Sequence, residues 1–324
     1  MKFMPLLAKG ALAIASLAAL ASADAQEFPA RPIRIMIPYA GGGLPDPLTR
    51  VIGQSMAATL GQQVLVEQKP GAGGSTAALE LIKSPADGYT LMFADSSHWG
   101  IQPALRPGIY DPVRDFSPIG MVARSFLYIV VREDLKVKSI EEFVALAKAK
   151  PGTISYGTSG NGSLHHLFME TVRAHYGIEL VHVPFKGAVP AFQAFMAGHL
   201  PVTIATVVTA EPHMKGGTMR RLLASSAQRS RFVPDVPSLA DMKIEGNITG
   251  DMGYVAPAGT PKPVIDKLYG ALAKAVQQPD FQKHLDSFYV DPLFRTPEQF
   301  AEIIRADVPR YARVVKLSGA KATD

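Results

Sequence analysis

The sequence predicts an α/β protein of two lobes, each a sheet flanked by helices. Three observations carry that prediction. Short apolar runs of strand length alternate with amphipathic stretches of helical period, beginning with Ile33-Arg34-Ile35-Met36-Ile37. Glycine-rich loops stand where predicted strands hand over to predicted helices. The chain is 324 residues long, more than one hydrophobic core commonly holds.

After the first strand, a helix is predicted from about Asp46 to Leu60, where Gly61 supplies a left-handed stop. Gln63 to Glu67 makes the second strand. A helix over Thr76 to Lys83 is stopped by Ser84-Pro85, and Tyr89 to Phe93 makes the third strand. A second series follows: strand Tyr128 to Val131, helix Ile140 to Ala149, strand Thr153 to Tyr156 and helix Leu164 to Tyr176. Strand Leu180 to Val183, helix Val189 to Ala197 and strands Val202 to Ala205 and Arg221 to Ala224 complete it. Beyond strand Gly253 to Pro257 only helical patterns are read, over Pro263 to Gln277, Pro279 to Ser287 and Pro297 to Leu317. Each has proline at or near its start, where the missing N–H costs nothing. With no new strands, these helices are expected to return and cover the first sheet.

Crossings near Arg124 and Gly253 divide the chain into lobe 1 (26–124 and 254–324) and lobe 2 (125–253). Two crossings make a hinge, and ligands of open α/β sheets bind beyond the carboxyl ends of the strands. Residues 1–25 read as an export signal: Lys2 and Lys9 precede an apolar run, and Ala23-Asp24-Ala25 offers a small-residue cleavage site. That run is too short to span a bilayer. The expected location is therefore the periplasm, with the mature chain starting at Gln26.

Lysine and arginine number 33 against 28 acidic residues, a net +5. Removing Lys2, Lys9 and Asp24 leaves 31 against 27, or +4. The excess is spread thinly, without a basic run or interleaved aromatics, which argues against nucleic acid as a partner. The absence of cysteine excludes disulfides, thiolate nucleophiles and cysteine zinc sites.

The loops Pro38-Tyr39-Ala40-Gly41-Gly42-Gly43, followed by Asp46 and Arg50, and Pro70-Gly71-Ala72-Gly73-Gly74-Ser75 point to anion binding. A helix start carries unpaired N–H donors and the positive end of the macrodipole, and glycine lets a ligand approach the backbone. In lobe 2, Thr158-Ser159-Gly160-Asn161-Gly162-Ser163 repeats the arrangement. Ordinary turn chemistry explains any single glycine loop; two facing loops favour a site. Asp46 is expected mainly to cap its helix, with Pro47 at N1, and Arg50 to pair with Asp46 or another acid. His166 and Lys186 are candidates to line the cleft, as are Ser96, Ser97, His98 and Trp99 just past the third strand, although a core role is the plain alternative for Trp99. An indole facing the cleft would stack on a flat aromatic acid.

Several segments in order carry a resemblance: Gly42-Gly43-x-x-Asp46-x-x-x-Arg50, Pro70-Gly71-Ala72-Gly73-Gly74, Ala86-Asp87-Gly88-Tyr89-Thr90-Leu91, and Asp111-Pro112-x-x-Asp115-Phe116-x-Pro118-Ile119. Tyr156 to Leu167, Val183-Pro184-Phe185-Lys186-Gly187 and Ala256-Pro257-Ala258-Gly259-Thr260-Pro261 continue it. Over essentially its whole length the chain resembles the tripartite tricarboxylate transporter substrate-binding proteins, the Bug family of periplasmic receptors. The resemblance implies a type II-like periplasmic-binding-protein fold and a monomeric receptor without cofactor or metal. It would close on a small organic carboxylate, such as a di- or tricarboxylate, an aromatic or pyridine carboxylate or an amino acid, and deliver it to a membrane permease. The Gly42 to Asp46 loop would hold one carboxylate through backbone donors and water.

The sequence departs from that pattern at several positions. Leu44-Pro45 stands where many relatives have Pro-Thr, Ala205 where an aspartate is frequent, Pro201 where an acid stands, and Asp251 where a tryptophan is common. An inward Asp251 would need a donor or cation and would favour a ligand with an amine, amide or ring N–H beside its acid.

As an enzyme the chain has little to offer. It lacks a Gly-x-Ser-x-Gly elbow, a P-loop and a His-Glu-x-x-His motif. Ser163 with His166 is the nearest nucleophile–base pair, with no acid to orient the histidine, and His165-His166 point about 100° apart on a helix, a poor metal pair. A ligand-dependent sensor docking on a membrane signalling protein would use the same fold and pocket.

Overall fold

The computed structural model describes residues 27–41, 43–245 and 248–321. The expected export signal and Gly42 therefore lie outside the described residues. Two sheets form, and helices flank both.

The first sheet holds β1 (Ile33–Ile37), β2 (Val64–Gln68), β3 (Thr90–Asp95), β4 (Phe116–Ser125), β10 (Gly250–Pro257) and β11 (Asp291–Arg295), in the order β11-β4-β10-β3-β1-β2. β1 pairs in parallel with β2 and β3, while β10 runs antiparallel to β3 and β4. The second sheet holds β5 (Leu127–Arg132), β6 (Ser155–Thr158), β7 (Val181–Pro184), β8 (Val202–Thr206) and β9 (Met219–Ala224), ordered β7-β6-β8-β5-β9. Here β6 is parallel to β7 and β8, and β5 antiparallel to β8 and β9. The chain crosses between sheets at Phe126, between β4 and β5, and again on its way from β9 to β10.

Both faces of each sheet are covered over its central strands, which read as near-continuous apolar runs. Along β1 the pleat sends Ile33, Ile35 and Ile37 to one face, against α1 (Pro45–Leu60) and α7 (Lys262–Val276), and Met36 to the other, against α2 (Ser75–Lys83). In lobe 2, Tyr156 and Ile204 pack on α3 (Ile140–Ala149) and α4 (Leu164–Tyr176). The other face, with Tyr128 and Ala205, meets α5 (Ala188–Met196) and α6 (Val207–Met214).

Three expectations require correction. A strand, β11, follows α8 (Pro279–Ser287) where only helices were read. It is an edge strand with Pro292 and an irregular register, so it lacks the alternation by which strands are recognised. β4 was also missed, because Pro118 interrupts its pattern at a register shift. The last helix, α9 (Pro297–Ser318), does not cover the first sheet alone. Phe300 and Ile304 pack there, but Tyr311 and Val315 belong to the core of lobe 2. α9 thus packs into the cores of both lobes, and among the described residues no helix is long and apolar enough to cross a membrane.

Candidate functional site

Parallel β-α units place helix starts at strand ends, and here those of both lobes converge. Between the sheets lies a cavity of ≈ 70 Å³, on a scale where one water needs ~10–15 Å³. One wall is the loop after β1 (Tyr39, Ala40, Gly43, Leu44, Pro45) with Phe93 and Asp95 of β3. The opposite wall is Ser159, Leu164 and His165 at the start of α4, Ala188 and Val189 at the start of α5, and Thr206 and Thr209 around the start of α6. Ser125, Leu127, Gly250 and Met252 of the crossing strands close the remaining side. No lysine or arginine is among these described lining residues, so an anion here meets hydroxyls, N–H groups and helix dipoles.

The lobes touch beside the cavity. Gln102 Nε2 donates to the Gly162 carbonyl (2.9 Å) while its Oε1 accepts from Ser75 Oγ (3.1 Å), and Leu164 N–H donates to Ser97 Oγ (3.2 Å). A neighbouring opening is lined by Pro70 to Gly74, Arg106, Asn161 and Lys186, and it shares Tyr39 and Ser159 with the cavity. The second glycine loop thus faces lobe 2 beside the main cavity. Gly74 sits at φ 96°, and a Cβ there would collide with His98 Nε2.

Of the residues expected at a site, Tyr39, Gly43 and Ser159 line the cavity, and Gly74, Asn161 and Lys186 line the neighbouring opening. The others are placed elsewhere. Asp46 does not cap α1, whose N-cap position is Leu44 with no side-chain bond; its Oδ1 lies 2.9 Å from Arg50 Nε, the i,i+4 pairing expected of Arg50. Ser97 makes the interlobe bond to Leu164 just described, Ser75 donates within lobe 1 to Gln102, and Ser96 and His98 are fully buried. Trp99 is a core residue: fully buried, edge-on to Phe300 at 5.0 Å, with Nε1 donating to Asp307 Oδ2 at 2.8 Å.

In lobe 2, Thr158 Oγ1 lies 2.6 Å from His182 Nε2, and Ser163 caps α4 by accepting His166 N–H. His166 turns from the cavity to stack on His182 at 4.0 Å, while its Nδ1 accepts Gly162 N–H. Ala205 faces the α5 and α6 core, because the pleat sends it to the opposite side from Ile204. Asp251 is buried, and its carboxylate is met by Arg124, with Nε at 2.5 Å and Nη2 at 2.6 Å; the donor that an inward Asp251 requires comes from the next strand, not from a ligand.

The residues missed were Asp95, Ser125, His165, Thr206 and Thr209. The rule that ligands sit beyond strand carboxyl ends already pointed to Asp95 and Thr206, the last residues of β3 and β8. Asp95 Oδ2 accepts from Tyr39 Oη at 2.6 Å and Oδ1 from Ser97 N–H at 2.8 Å. Burial pushes its carboxyl up, but His98, Tyr39 and the Ser97 N–H outweigh this and hold it below the usual carboxylate value. Burial and Asp95 together raise the Tyr39 hydroxyl well above its ordinary value.

His165 Nδ1 lies 2.8 Å from Ser159 Oγ, while its buried Nε2 has no protein partner. Burial pushes His165 down to about 4 and His182 down to about 3, and it also lowers His166. Between about pH 6.5 and 3 the unfolded chain therefore binds more protons at these histidines than the fold does. Stability is full above that window and falls as pH drops through it. At ~1.4 kcal/mol per tenfold change in proton affinity, discounted for partial exposure, the part of the loss between pH 7 and pH 5 is on the order of 2 kcal/mol. Chemical denaturation at pH 7 and pH 5 checks it; equal unfolding free energies would refute it.

Residues 48–320 match the sequence profile described as Tripartite tricarboxylate transporter family receptor. Protein BugT of Bordetella pertussis is 32% identical over 313 residues, covering 96% of this chain and 95% of BugT. The structure of MatC from Rhodopseudomonas palustris with bound malate aligns at a TM-score of 0.83 and 28% identity, over 89% of this chain and 100% of MatC. An R. palustris protein with adipate aligns at a TM-score of 0.84 and 26% identity, over 91% of this chain and 99% of that one. With the profile spanning most of its length and the two-lobed fold matching, this chain belongs to the tripartite tricarboxylate transporter receptor family, which includes the Bug proteins.

Proposed function

We propose that this receptor captures a small organic carboxylate between its lobes in the periplasm and delivers it to a membrane permease of the tripartite tricarboxylate type. The observation that carries the reading is the convergence of the α4, α5 and α6 starts on one cavity between the sheets, with serine and threonine hydroxyls beside them. Such donors hold an anion without burying an unpaired cation. The malate and adipate bound by the two R. palustris relatives support the same ligand chemistry here. In this reading residues 1–25 direct export, lobe 1 is 26–124 with 254–324, lobe 2 is 125–253, and the strands around Phe126 and Gly250 act as the hinge.

Catalysis is not part of the reading. Ser163 Oγ is occupied as a helix cap. Ser159 meets His165 at Nδ1, so no carboxylate orients that imidazole, and burial leaves it too weak a base at neutral pH.

The test is a thermal-shift panel of mono- and dicarboxylates, aromatic and pyridine acids and amino acids on the mature, ligand-free protein. A ligand at a hundredfold excess over Kd contributes ~2.7 kcal/mol and raises Tm by about 5 °C. A hit from one chemical class, confirmed by calorimetry, is the expected outcome. No shift across the panel with folded protein would overturn the carboxylate assignment.

A further inference from the structure

We propose that the ligand of this cavity is zwitterionic: an organic acid that also carries a protonated amine, with the amine against Asp95 and Tyr39 and the carboxylate against the donors of lobe 2. The inference rests on the receptor reading above and specifies its ligand class. It follows from how donors and acceptors are distributed around the cavity.

The lobe 1 wall presents acceptors. Asp95 lines the cavity and is 9% exposed. Its donors among the described residues include the Tyr39 hydroxyl and the Ser97 N–H, both neutral. A carboxylate has about four lone-pair directions, so acceptor capacity remains. His98 Nδ1 also approaches Oδ1 at 3.0 Å; when it accepts the Asp95 backbone N–H at 3.0 Å it carries no proton and leaves that oxygen able to accept from a ligand. Because Tyr39 gives its proton to Asp95, its oxygen can only accept from a ligand.

The same wall is poor in donors at the start of α1. Pro45 and Pro47 have no N–H, and the Asp46 N–H is taken by the Gly43 carbonyl at 3.1 Å. Leu44-Pro45, where many relatives have Pro-Thr, removes a hydroxyl from the loop expected to bind an anion and shifts its amide from position 45 to position 44.

The lobe 2 wall presents donors. Thr206 and Thr209, paired through their hydroxyls at 3.0 Å, sit at the start of α6. The buried Nε2 of His165 has no protein partner, and when Ser159 donates to Nδ1 this nitrogen carries the proton.

Charge balance separates ligand classes. With Asp95 as the ionised residue on the described lining and no lysine or arginine beside it, a dicarboxylate would collect three negative charges in a site of low dielectric. An acid with one ammonium pairs each of its charges with a wall of opposite character. Asp251 plays no part in this selection, because Arg124 already neutralises it.

The experiment is calorimetric titration of the mature protein with two matched sets: succinate, malate and aspartate; and butanoate, 4-hydroxybutanoate and 4-aminobutanoate. The amino member is expected to bind at least tenfold tighter than its hydroxyl and unsubstituted or dicarboxylate counterparts in whichever set fits. In Asp95→Asn the amino member is expected to lose at least tenfold while the plain acids hold or gain affinity. The ranking in the native protein stands alone if that variant does not fold. Tighter binding of the plain, hydroxy or dicarboxylic member overturns the inference while leaving the carboxylate receptor standing. Binding of no acid in either set overturns this inference, and the receptor reading falls with it when the wider panel of acids also gives no shift.

Discussion

Replacing Arg124 by alanine is expected to lower the unfolding free energy by about 3–5 kcal/mol. Arg124 on β4 stands opposite Asp251 on β10, and its guanidinium grips both carboxylate oxygens in a fork. Asp251 is 4% exposed, so the truncation leaves an ionised carboxylate in the interior with its partner gone. The loss is local to the crossings between the sheets, because Ser125 and Gly250, each adjacent to one member of the pair, stand where the chain passes from one to the other. The attraction within the pair is not itself the quantity measured: much of it offsets the desolvation of both ions. The double variant Arg124→Met with Asp251→Leu should therefore be considerably more stable than Arg124→Ala. Denaturant unfolding of native, single and double variants decides the matter. Equal losses in the single and double variants would show that packing, and not the stranded charge, sets the cost.

Trp99→Ala is expected to cost about 3–5 kcal/mol, the range for truncating a large buried aromatic. The indole fills space between the wide turn Ser97–Ile101 and α9, in a T-shaped contact with Phe300 and with Asp307 on its Nε1. Asp307 keeps Arg310 as a partner at 2.8 Å, so the charge is not stranded, and lost packing dominates. Trp99→Phe retains most of the apolar contact and should cost clearly less. As the sole tryptophan of the chain, Trp99 also reports on its surroundings. Its emission should be that of a buried indole, change on unfolding, and remain unchanged when ligand saturates the cavity. A loss of 1 kcal/mol or less in Trp99→Ala, or strong quenching by a bound aromatic acid, would contradict a core position.

Helix ends were the most legible features. α3, α4 and α8 run from Ile140 to Ala149, from Leu164 to Tyr176 and from Pro279 to Ser287, as their local signals predict. Ser139 and Ser163 cap the first two, Gly177 closes the second, and Pro279 opens the third. Those signals act within a few residues and need no knowledge of the rest of the fold. Strands with proline were less legible, and β4 and β11 are recognised as strands through the partners they pair with.

Site residues divide along the same line. Ser159 and Gly43 follow from the rule for strand ends. The choice between His165 and His166 does not, since both stand at the start of α4 and only the stack on His182 takes His166 out of contention. Ala205 and Thr206 are neighbours that the pleat sends to different places, one to the core and one to the cavity.

By itself the sequence determined the α/β class, the order of most elements, the helix caps and the family to which the chain belongs, because periodicity, capping chemistry and motif order are written locally. Tertiary structure alone decided which polar groups face the ligand and which are spent on the fold. Trp99 meets Asp307 across 208 residues and Arg124 meets Asp251 across 127, and the direction of a side chain at a strand end is set by such distant partners, which no local pattern encodes.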